Sequence, residues 1–250
     1  MKAVVLIKRV PDTAAIIKIA QDKKNIDLSG LNFVINPYDE YALEGALRLK
    51  DDRVFESVSV CSFGPAECAT TLRNALAMGA DNAVLIKDSK STIDPCIIAY
   101  NLALYLRENK FDVIFTGKQA VDNDFGQVPF LLSSILDIPI LSHVFLTEFK
   151  DNKFIIQKEG EGVTEIFEVS SPCILSYTKC KYEPRYPTLK GIMQAKSKPF
   201  KELEAQYLED KVEVLELQLP PARPPGRIVG KGVEAVAEVV KLLREEAKVI

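Results

Sequence analysis

The chain has 250 residues, of which 47% are hydrophobic and 27% charged, and a formal net charge of −3, as expected for a globular protein that buries a full core. No apolar run approaches the roughly 20 residues that cross a bilayer, and the acidic balance argues against a nucleic-acid-binding protein. Five cysteines without a C-x-x-C pair, and a single histidine, His143, predict no metal site and no histidine-based catalysis.

Short apolar segments alternate with segments of helical period through the first 180 residues. Because the apolar segments are continuous, they are typical of strands covered on both faces by helices. We therefore predict an α/β domain over residues 1–180, with a Rossmann-like, doubly wound, mostly parallel sheet. The predicted strands are 3–7, 57–62, 83–86, 113–116 and 173–177, and the predicted helices are 38–49, 65–78, 94–107 and 126–136.

The remaining segments depart from this alternation. Turn residues separate three strand-like runs at 144–149, 154–158 and 164–169, which predicts an antiparallel β-hairpin extension. We predict a protruding loop at 181–200 and a C-terminal arm with a helix at 201–250. The arm contains an extended run at 212–217, a stiff proline-rich linker at 220–226 and an amphipathic helix at 232–248. The pattern leaves open whether that helix packs on its own domain or on a partner chain.

The strongest candidate site is the run G-K-Q-A-V-D-N-D-F-G-Q-V at 117–128, between a predicted strand and a predicted helix. Ligands of open parallel sheets bind beyond the carboxyl ends of the strands. We expect residues 6–8, 36–39 and 63–65 to meet the run there. N–H groups at 126–128, where the helix begins, are suited to receive a phosphate.

The same residues are equally compatible with a loop that has only a structural role and binds no nucleotide. Asp122 and Asp124 would repel a phosphate if they pointed at it, so they more plausibly bond a ribose hydroxyl, cap the helix or face water. The chain has no G-x-G-x-x-G, no P-loop and no G-x-S-x-G motif. The sequence therefore predicts no catalytic residue.

A basic, partly apolar run occupies residues 183–198, E-P-R-Y-P-T-L-K-G-I-M-Q-A-K-S-K. From Lys179 to Lys201 there are seven Lys or Arg residues and one acid, a local charge of +6 within a chain of −3. A cationic segment with a hydrophobic tip predicts a surface that binds another protein. The alternative is that its central residue, Leu189, folds into its own core.

Together these motifs resemble the beta subunits of electron-transferring flavoproteins over essentially the whole chain. The matching strings are V-x-I-K-R-V-P-D-T, N-P-Y-D-E-Y-A-L-E, G-P-A-E, A-L-A-M-G-A-D, G-K-Q-A-V-D-N-D and E-P-R-Y-P-T-L, in that order. The resemblance implies the adenine-nucleotide-binding type of the fold. It also implies an electron carrier rather than an enzyme: a heterodimer whose alpha subunit holds the redox-active FAD and whose beta subunit holds a structural AMP.

Site residues follow from the resemblance, motif by motif. It places Thr13 near the flavin of the alpha subunit, and it makes Leu189 the anchor of a partner-recognition loop together with Tyr186, Ile192 and Met193. The AMP pocket that it implies consists of Leu6, Asn36, Pro37, Tyr38, Asp39, Phe63, Gly117, Lys118, Gln119, Ala120, Val121, Asp122, Asn123, Asp124, Phe125, Gly126, Gln127 and Val128.

One departure and one alternative concern the nucleotide. Pro129 stands where the family commonly has glycine, which removes one backbone donor. Electron-bifurcating members bind a second FAD in place of AMP and oxidise NADH; their loop usually reads G-D-T-A-Q-V-G, whereas N-D-F-G-Q-V-P here favours AMP.

The resemblance also implies partners and a location. Acyl-CoA dehydrogenases or similar flavin dehydrogenases would donate electrons, as in fatty acid oxidation. A quinone oxidoreductase specific for electron transfer flavoproteins would pass them to the respiratory chain. We expect a bacterial cytoplasmic protein, with the mitochondrial matrix as the alternative.

Overall fold

The computed structural model describes residues 1–222 and 225–250, so part of the predicted linker at 220–226 lies outside the described residues. The described chain forms two compact units. The larger unit contains Met1–Lys18 and Asp27–Val214, and the smaller contains Ile19–Ile26 and Leu215–Ile250.

Strands and helices alternate along the larger unit, and a last helix lies in the smaller one. In chain order the described elements are β1 (Lys2–Leu6), β2 (Arg9–Pro11), β3 (Phe33–Ile35), α1 (Pro37–Asp51), β4 (Ser57–Gly64), α2 (Cys68–Met78), β5 (Asn82–Lys87), α3 (Pro95–Asn109), β6 (Val113–Gly117), α4 (Val128–Leu136), β7 (Ile140–Lys150), β8 (Lys153–Glu159), β9 (Thr164–Val169), β10 (Cys173–Tyr177), α5 (Leu189–Ala195), β11 (Phe200–Glu204), a 3-10 turn (Val233–Ala235) and α6 (Val236–Glu245).

The larger unit is built on a nine-stranded sheet with the order β11-β5-β4-β1-β6-β10-β7-β8-β9. The strands from β11 to β7 pair in parallel, and β8 and β9 add antiparallel strands at one edge. This confirms the predicted mostly parallel α/β sheet with a hairpin extension.

Both faces of the sheet are buried because side chains along each strand alternate between two cores. In β1, Ala3 and Val5 join the core that contains residues of α1 and α2, whereas Val4 and Leu6 join the core that contains residues of α3 and α4. The continuous apolar runs in the sequence are thus explained by helices on both sides.

The hairpin extension is more closely joined to the main sheet than predicted. β7 begins at Ile140 rather than at residue 144, and its first residues pair in parallel with β10. A register shift lies opposite Ser176 and Tyr177, at which His143 adopts a left-handed conformation with φ of 60°. The strand predicted at 144–149 is therefore the second part of a longer strand that belongs to both sheet regions.

Two elements were not predicted between residues 181 and 204. The predicted loop contains a short helix, α5, where the Thr188 hydroxyl accepts a hydrogen bond from the Gly191 N–H. Residues 200–204, which the sequence prediction divided between the end of the loop and the start of the arm, form β11 instead and pair with β5 at the sheet edge. A seven-residue helix and a charged five-residue strand have weak local patterns, and contacts with the rest of the fold stabilise both.

The smaller unit has little regular structure. Residues Ile19 and Ile26 form an isolated antiparallel bridge. The helix predicted at 232–248 is present as the 3-10 turn and α6, with Val236, Val239, Val240 and Leu243 exposed. Among the described residues, no helix combines the length and apolar character needed to span a membrane.

Replacing Gly45 in α1 should destabilise the fold. A Cβ at this position would lie 2.7 Å from Cζ and Oη of Tyr177, whose side chain is fully buried. We expect Gly45→Ala to lower the free energy of unfolding by about 1–3 kcal/mol, although glycine to alanine ordinarily stabilises a helix. Gly226→Ala, whose Cβ would meet no atom of the described residues within 4 Å, is the control. Equal melting temperatures for the two variants would contradict this packing argument.

Candidate functional site

A cavity of about 130 Å³ opens at the carboxyl ends of the parallel strands. β1 and β6 are neighbours in the sheet. β4 and β5 lie beyond β1 on one side, and β10 and β7 lie beyond β6 on the other. The cavity therefore lies at the point where the strand order reverses, the usual ligand site of such sheets. Its lining is Leu6, Ile7, Lys8, Asn36, Asp39, Cys61, Phe63, Ile93, Pro95, Ile98, Leu102, Thr116, Gly117, Gln119, Ala120, Asn123, Phe125, Gly126, Gln127, Val128 and Pro129.

Asp39, near the start of α1, joins the ends of two strands. Its carboxylate accepts hydrogen bonds from the Lys8 N–H at 2.8 Å and from the Gly117 N–H at 3.0 Å. Burial raises the pKa of Asp39 to about 7, while these hydrogen bonds and the Lys8 charge act in the opposite direction. A Cβ at residue 117 would collide with this carboxylate, so glycine is required there.

Asn36, immediately before α1, holds the 117–128 loop in place. Its side-chain N–H donates to the Gln119 carbonyl at 2.9 Å, and its Oδ1 accepts from the Val121 N–H at 3.1 Å. The Asn36 side chain is buried, so these two bonds satisfy polar groups that would otherwise lack water. The N-P-Y-D string thus places two polar side chains that shape one wall of the cavity.

The opposite end of the loop leads into α4 at the cavity edge. Gly126 is left-handed, with φ of 60°, and α4 begins two residues later with Pro129 in its first turn. Among the described residues, no side chain caps this helix. Gly126, Gln127 and Val128 all line the cavity. A helix N-terminus without a side-chain cap presents a positive dipole end and N–H donors to whatever lies in front of it.

The two acids of the loop do not line the cavity. The Asp122 carboxylate forms an ion pair with Lys8 Nζ at 2.7 Å, and Asp124 accepts a hydrogen bond from Gln119 Nε2 at 2.6 Å. Their negative charges are thereby directed to partners within the protein. The repulsion that these acids would exert on a phosphate in the cavity is correspondingly reduced.

The structure brings part of the predicted pocket together. Twelve of the predicted residues line the cavity: Leu6, Asn36, Asp39, Phe63, Gly117, Gln119, Ala120, Asn123, Phe125, Gly126, Gln127 and Val128. Six do not line it: Pro37, Tyr38, Lys118, Val121, Asp122 and Asp124. The loop turns back at residues 120–124, where the N–H of Asp124 bonds the Ala120 carbonyl, and Val121, Asp122 and Asp124 of this turn do not line the cavity.

An apolar wall was missed by the sequence reasoning. Ile93 precedes α3, Pro95, Ile98 and Leu102 lie in its first eight residues, and all four line the cavity. Asp94 caps this helix by accepting from the Cys96 N–H, as the Asp-Pro start indicated. The Asp94-Pro95 start could have placed the N-terminus of α3 near the ends of the strands. Only the folded structure shows which face of α3 lines the cavity.

Thr13 and the apolar residues of the 181–200 segment lie outside the cavity. Thr13 is exposed in the turn that follows β2. Tyr186, Leu189, Ile192 and Met193 are all exposed, and Leu189 is 83% accessible, so it does not fold into its own core. Within the described residues there is no group of three or more His, Cys, Asp or Glu side chains arranged to hold a metal ion.

The fold and cavity define a class: an α/β protein of Rossmann-like topology with one polar and one apolar wall at the strand-order reversal. Comparison with known proteins gives the family. Residues 24–208 match the electron transfer flavoprotein domain, and the chain belongs to the electron transfer flavoprotein family.

Relatives from three organisms match all or most of the chain. The chain is 38% identical to the electron transfer flavoprotein subunit beta of Bacillus subtilis, with all of both chains covered. It is 38% identical to the subunit beta of Syntrophomonas wolfei, over 90% of this chain and 88% of that one. It is 31% identical to the subunit beta of Mus musculus, over 100% of this chain and 99% of the other.

Asp39 should make stability depend on pH. Because its pKa rises from 3.8 to about 7 on folding, the folded state keeps a proton that the unfolded chain releases. The associated stability is present below about pH 4 and is lost as the pH rises through about 7. Relative to Asp39→Asn, we expect the wild-type free energy of unfolding to fall by about 2 kcal/mol from about pH 5 to about pH 7. Denaturant unfolding across this range measures it, and parallel pH profiles would contradict the assignment.

Proposed function

We propose that the chain is the beta subunit of a heterodimeric electron transfer flavoprotein that carries electrons without catalysis of its own. In this proposal it binds AMP structurally and supports an alpha subunit that holds FAD. It also docks flavin dehydrogenases through the 181–200 segment. The observation that carries the proposal is the two-walled cavity beside the uncapped start of α4, in a chain of this family.

The two walls of the cavity suit the two ends of a mononucleotide. The apolar side chains from α3, with Leu6 and Phe63, favour the flat face of an adenine. The N–H groups at the start of α4 favour a phosphate. Thr116 adds support, because this residue lines the cavity and its buried Oγ1 has no hydrogen-bond partner among the described residues. A ligand atom would satisfy it.

The alternative is a bifurcating type of beta subunit, with a second FAD in the cavity and NADH as reductant. The loop sequence N-D-F-G-Q-V-P supports AMP instead. AMP is therefore the ligand that we propose, and FAD in this cavity is the outcome that would replace it.

Contact with an alpha subunit accounts for two exposed features. Thr13 lies in an exposed turn, as expected of a residue near the partner's flavin. The apolar side of α6, Val236, Val239, Val240 and Leu243, is exposed, whereas α1, α2 and α3 bury their apolar faces. We propose that α6 packs on the alpha subunit, because four aligned apolar side chains gain stability from burial.

Docking to dehydrogenases rests on the exposed apolar group of Tyr186, Leu189, Ile192 and Met193. Their side chains project from α5 and the residues before it, among exposed Lys190 and Lys196. Acyl-CoA dehydrogenases are the donors that we propose, and a quinone oxidoreductase specific for electron transfer flavoproteins is the acceptor. A bacterial cytoplasmic location, or alternatively a mitochondrial matrix, would suit these partners.

Cofactor content tests the nucleotide assignment directly. We expect the purified heterodimer, after heat denaturation, to release about one FAD and about one AMP, because the cavity then holds a mononucleotide and the alpha subunit holds the flavin. Chromatography with absorbance detection measures both. Two FAD per heterodimer and reduction by NADH would replace this function with the bifurcating one.

Leu189 should determine the strength of dehydrogenase docking. Insertion of this leucine into a partner pocket would contribute about 1.5–3 kcal/mol, so Leu189→Ala should raise the KM of a dehydrogenase for this carrier by about tenfold or more. Leu28→Ala removes another exposed leucine, 60% accessible, and serves as the control. Flavin reduction at limiting carrier is the measurement. If both variants behave as the wild type does, the docking role of Leu189 is wrong.

A further inference from the structure

A buried carboxylate lies beneath the exposed 181–200 segment. Glu44, in the middle of α1, has a side chain only 1% accessible to solvent. It does not line the cavity, and the proposed nucleotide does not use it. A buried carboxylate is costly unless it is paired and hydrogen-bonded, so its partners indicate what it stabilises.

Most of the hydrogen bonds to Glu44 come from Arg185. The Arg185 N–H and Nε donate to Oε2 at 3.1 and 2.8 Å, and an Arg185 terminal nitrogen donates to Oε1 at 3.2 Å. The same nitrogen also bonds Asp51 at 2.9 Å. Because both backbone and side chain of Arg185 are bound, the carboxylate fixes the position of the chain itself and not only of a guanidinium.

Neighbouring contacts extend this attachment along α1. Arg48 Nε donates to Glu44 Oε1 at 2.8 Å, and the Arg48 guanidinium lies over the Tyr182 ring, 3.8 Å from its centroid. The Tyr41 hydroxyl bonds Glu183 at 3.2 Å. One face of α1 therefore holds residues 182–185, immediately before the exposed apolar group.

The other end of the segment is attached to α2. Arg73 donates to the carbonyl of Ala195 at 2.6 Å, and Lys198 Nζ donates to the carbonyls of Leu76 and Ala80 at 2.9 and 2.6 Å. Gly191 packs so closely on α2 that a Cβ would collide with the Ala77 carbonyl. Between two such attachments, the exposed residues project from a segment held at both ends.

We propose that Glu44 and Arg185 are positioning residues for docking: their ion pair holds the 181–200 segment in the one conformation that presents Leu189 to a partner. The inference rests on the proposed docking function. Arg185 thus differs in role from the exposed lysines around it, since its charge is committed to Glu44 and Asp51 and not to a partner. The benefit is pre-organisation, because a segment ordered beforehand loses less entropy on binding.

The test compares Arg185→Gln and Glu44→Gln in the purified heterodimer. Hydrogen exchange of residues 182–195, measured without any dehydrogenase, reports the order of the segment. Dehydrogenase kinetics report docking. If the docking conformation falls to about a tenth of the population, the KM for the carrier rises about tenfold while kcat is retained. Lys153→Gln, which breaks the exposed pair of Lys153 with Glu168 in the hairpin, is the matched control.

The expected result is faster exchange of residues 182–195 and a higher KM in both variants, with flavin absorbance and nucleotide content unchanged. Should Glu44→Gln fail to fold, Arg185→Gln decides alone, because Arg185 is one-third accessible. Wild-type exchange in Arg185→Gln would overturn the proposal. So would a raised KM with wild-type exchange, which would place Arg185 in direct contact with the partner.

Leu189→Ala in the same assay separates this inference from the docking function. If Leu189→Ala leaves KM unchanged, docking by this segment is wrong, and hydrogen exchange still shows whether the ion pair orders it. If Leu189→Ala raises KM and Arg185→Gln does not, docking stands and the positioning role is wrong.

Discussion

The hydrogen bonds of one buried carboxylate, Asp39, hold the site together. They tie the start of α1 to the ends of β1 and β6, through the N–H groups of Lys8 and Gly117. Those strands flank the point where the strand order reverses, so this one side chain joins the two strand ends at the cavity. With α1 fixed, Asn36 can hold the loop that follows β6. Without these bonds, the buried polar groups of both strand ends would lack partners, at a cost of about 1–3 kcal/mol each.

Helix α1 thereby serves two separate surfaces of the larger unit. Its start shapes the cavity through Asn36 and Asp39, and Glu44, just over one turn further on, holds Arg185 of the 181–200 segment. Directly after Glu44, Gly45 packs against the Tyr177 ring on β10. A helix pressed this closely to the sheet moves little, so its polar side chains can position two surfaces at once.

Features that depend on local sequence patterns were predicted correctly, whereas features that depend on tertiary contacts were not. Continuous apolar strands and Pro-containing helix starts indicated the parallel sheet, because both patterns follow from burial on two faces and from capping. The loop at 117–128 was predicted as a block, yet its turn at residues 120–124 sends Val121, Asp122 and Asp124 away from the cavity. Ile98 and Leu102 were missed because a helical pattern shows an apolar face without showing what it meets. Short α5 and β11 depend on α2 and β5, contacts that no local pattern contains.

The basic residues of the 181–200 segment fall into two groups: some are bound within the protein and hold the segment in place, and others are exposed to solvent. Counting residues gives +6 between Lys179 and Lys201, but Arg185 is neutralised by Glu44 and Asp51, and Lys198 Nζ is bound to the carbonyls of Leu76 and Ala80. Lys190 and Lys196 remain exposed beside the apolar group. Exposed charges mainly raise the rate of encounter and are screened by salt, whereas apolar contact sets how long partners stay together. A partner would therefore meet a smaller positive charge than composition suggests. Arg185 and Lys198, whose charged groups are bound within the protein, hold the exposed apolar group in position.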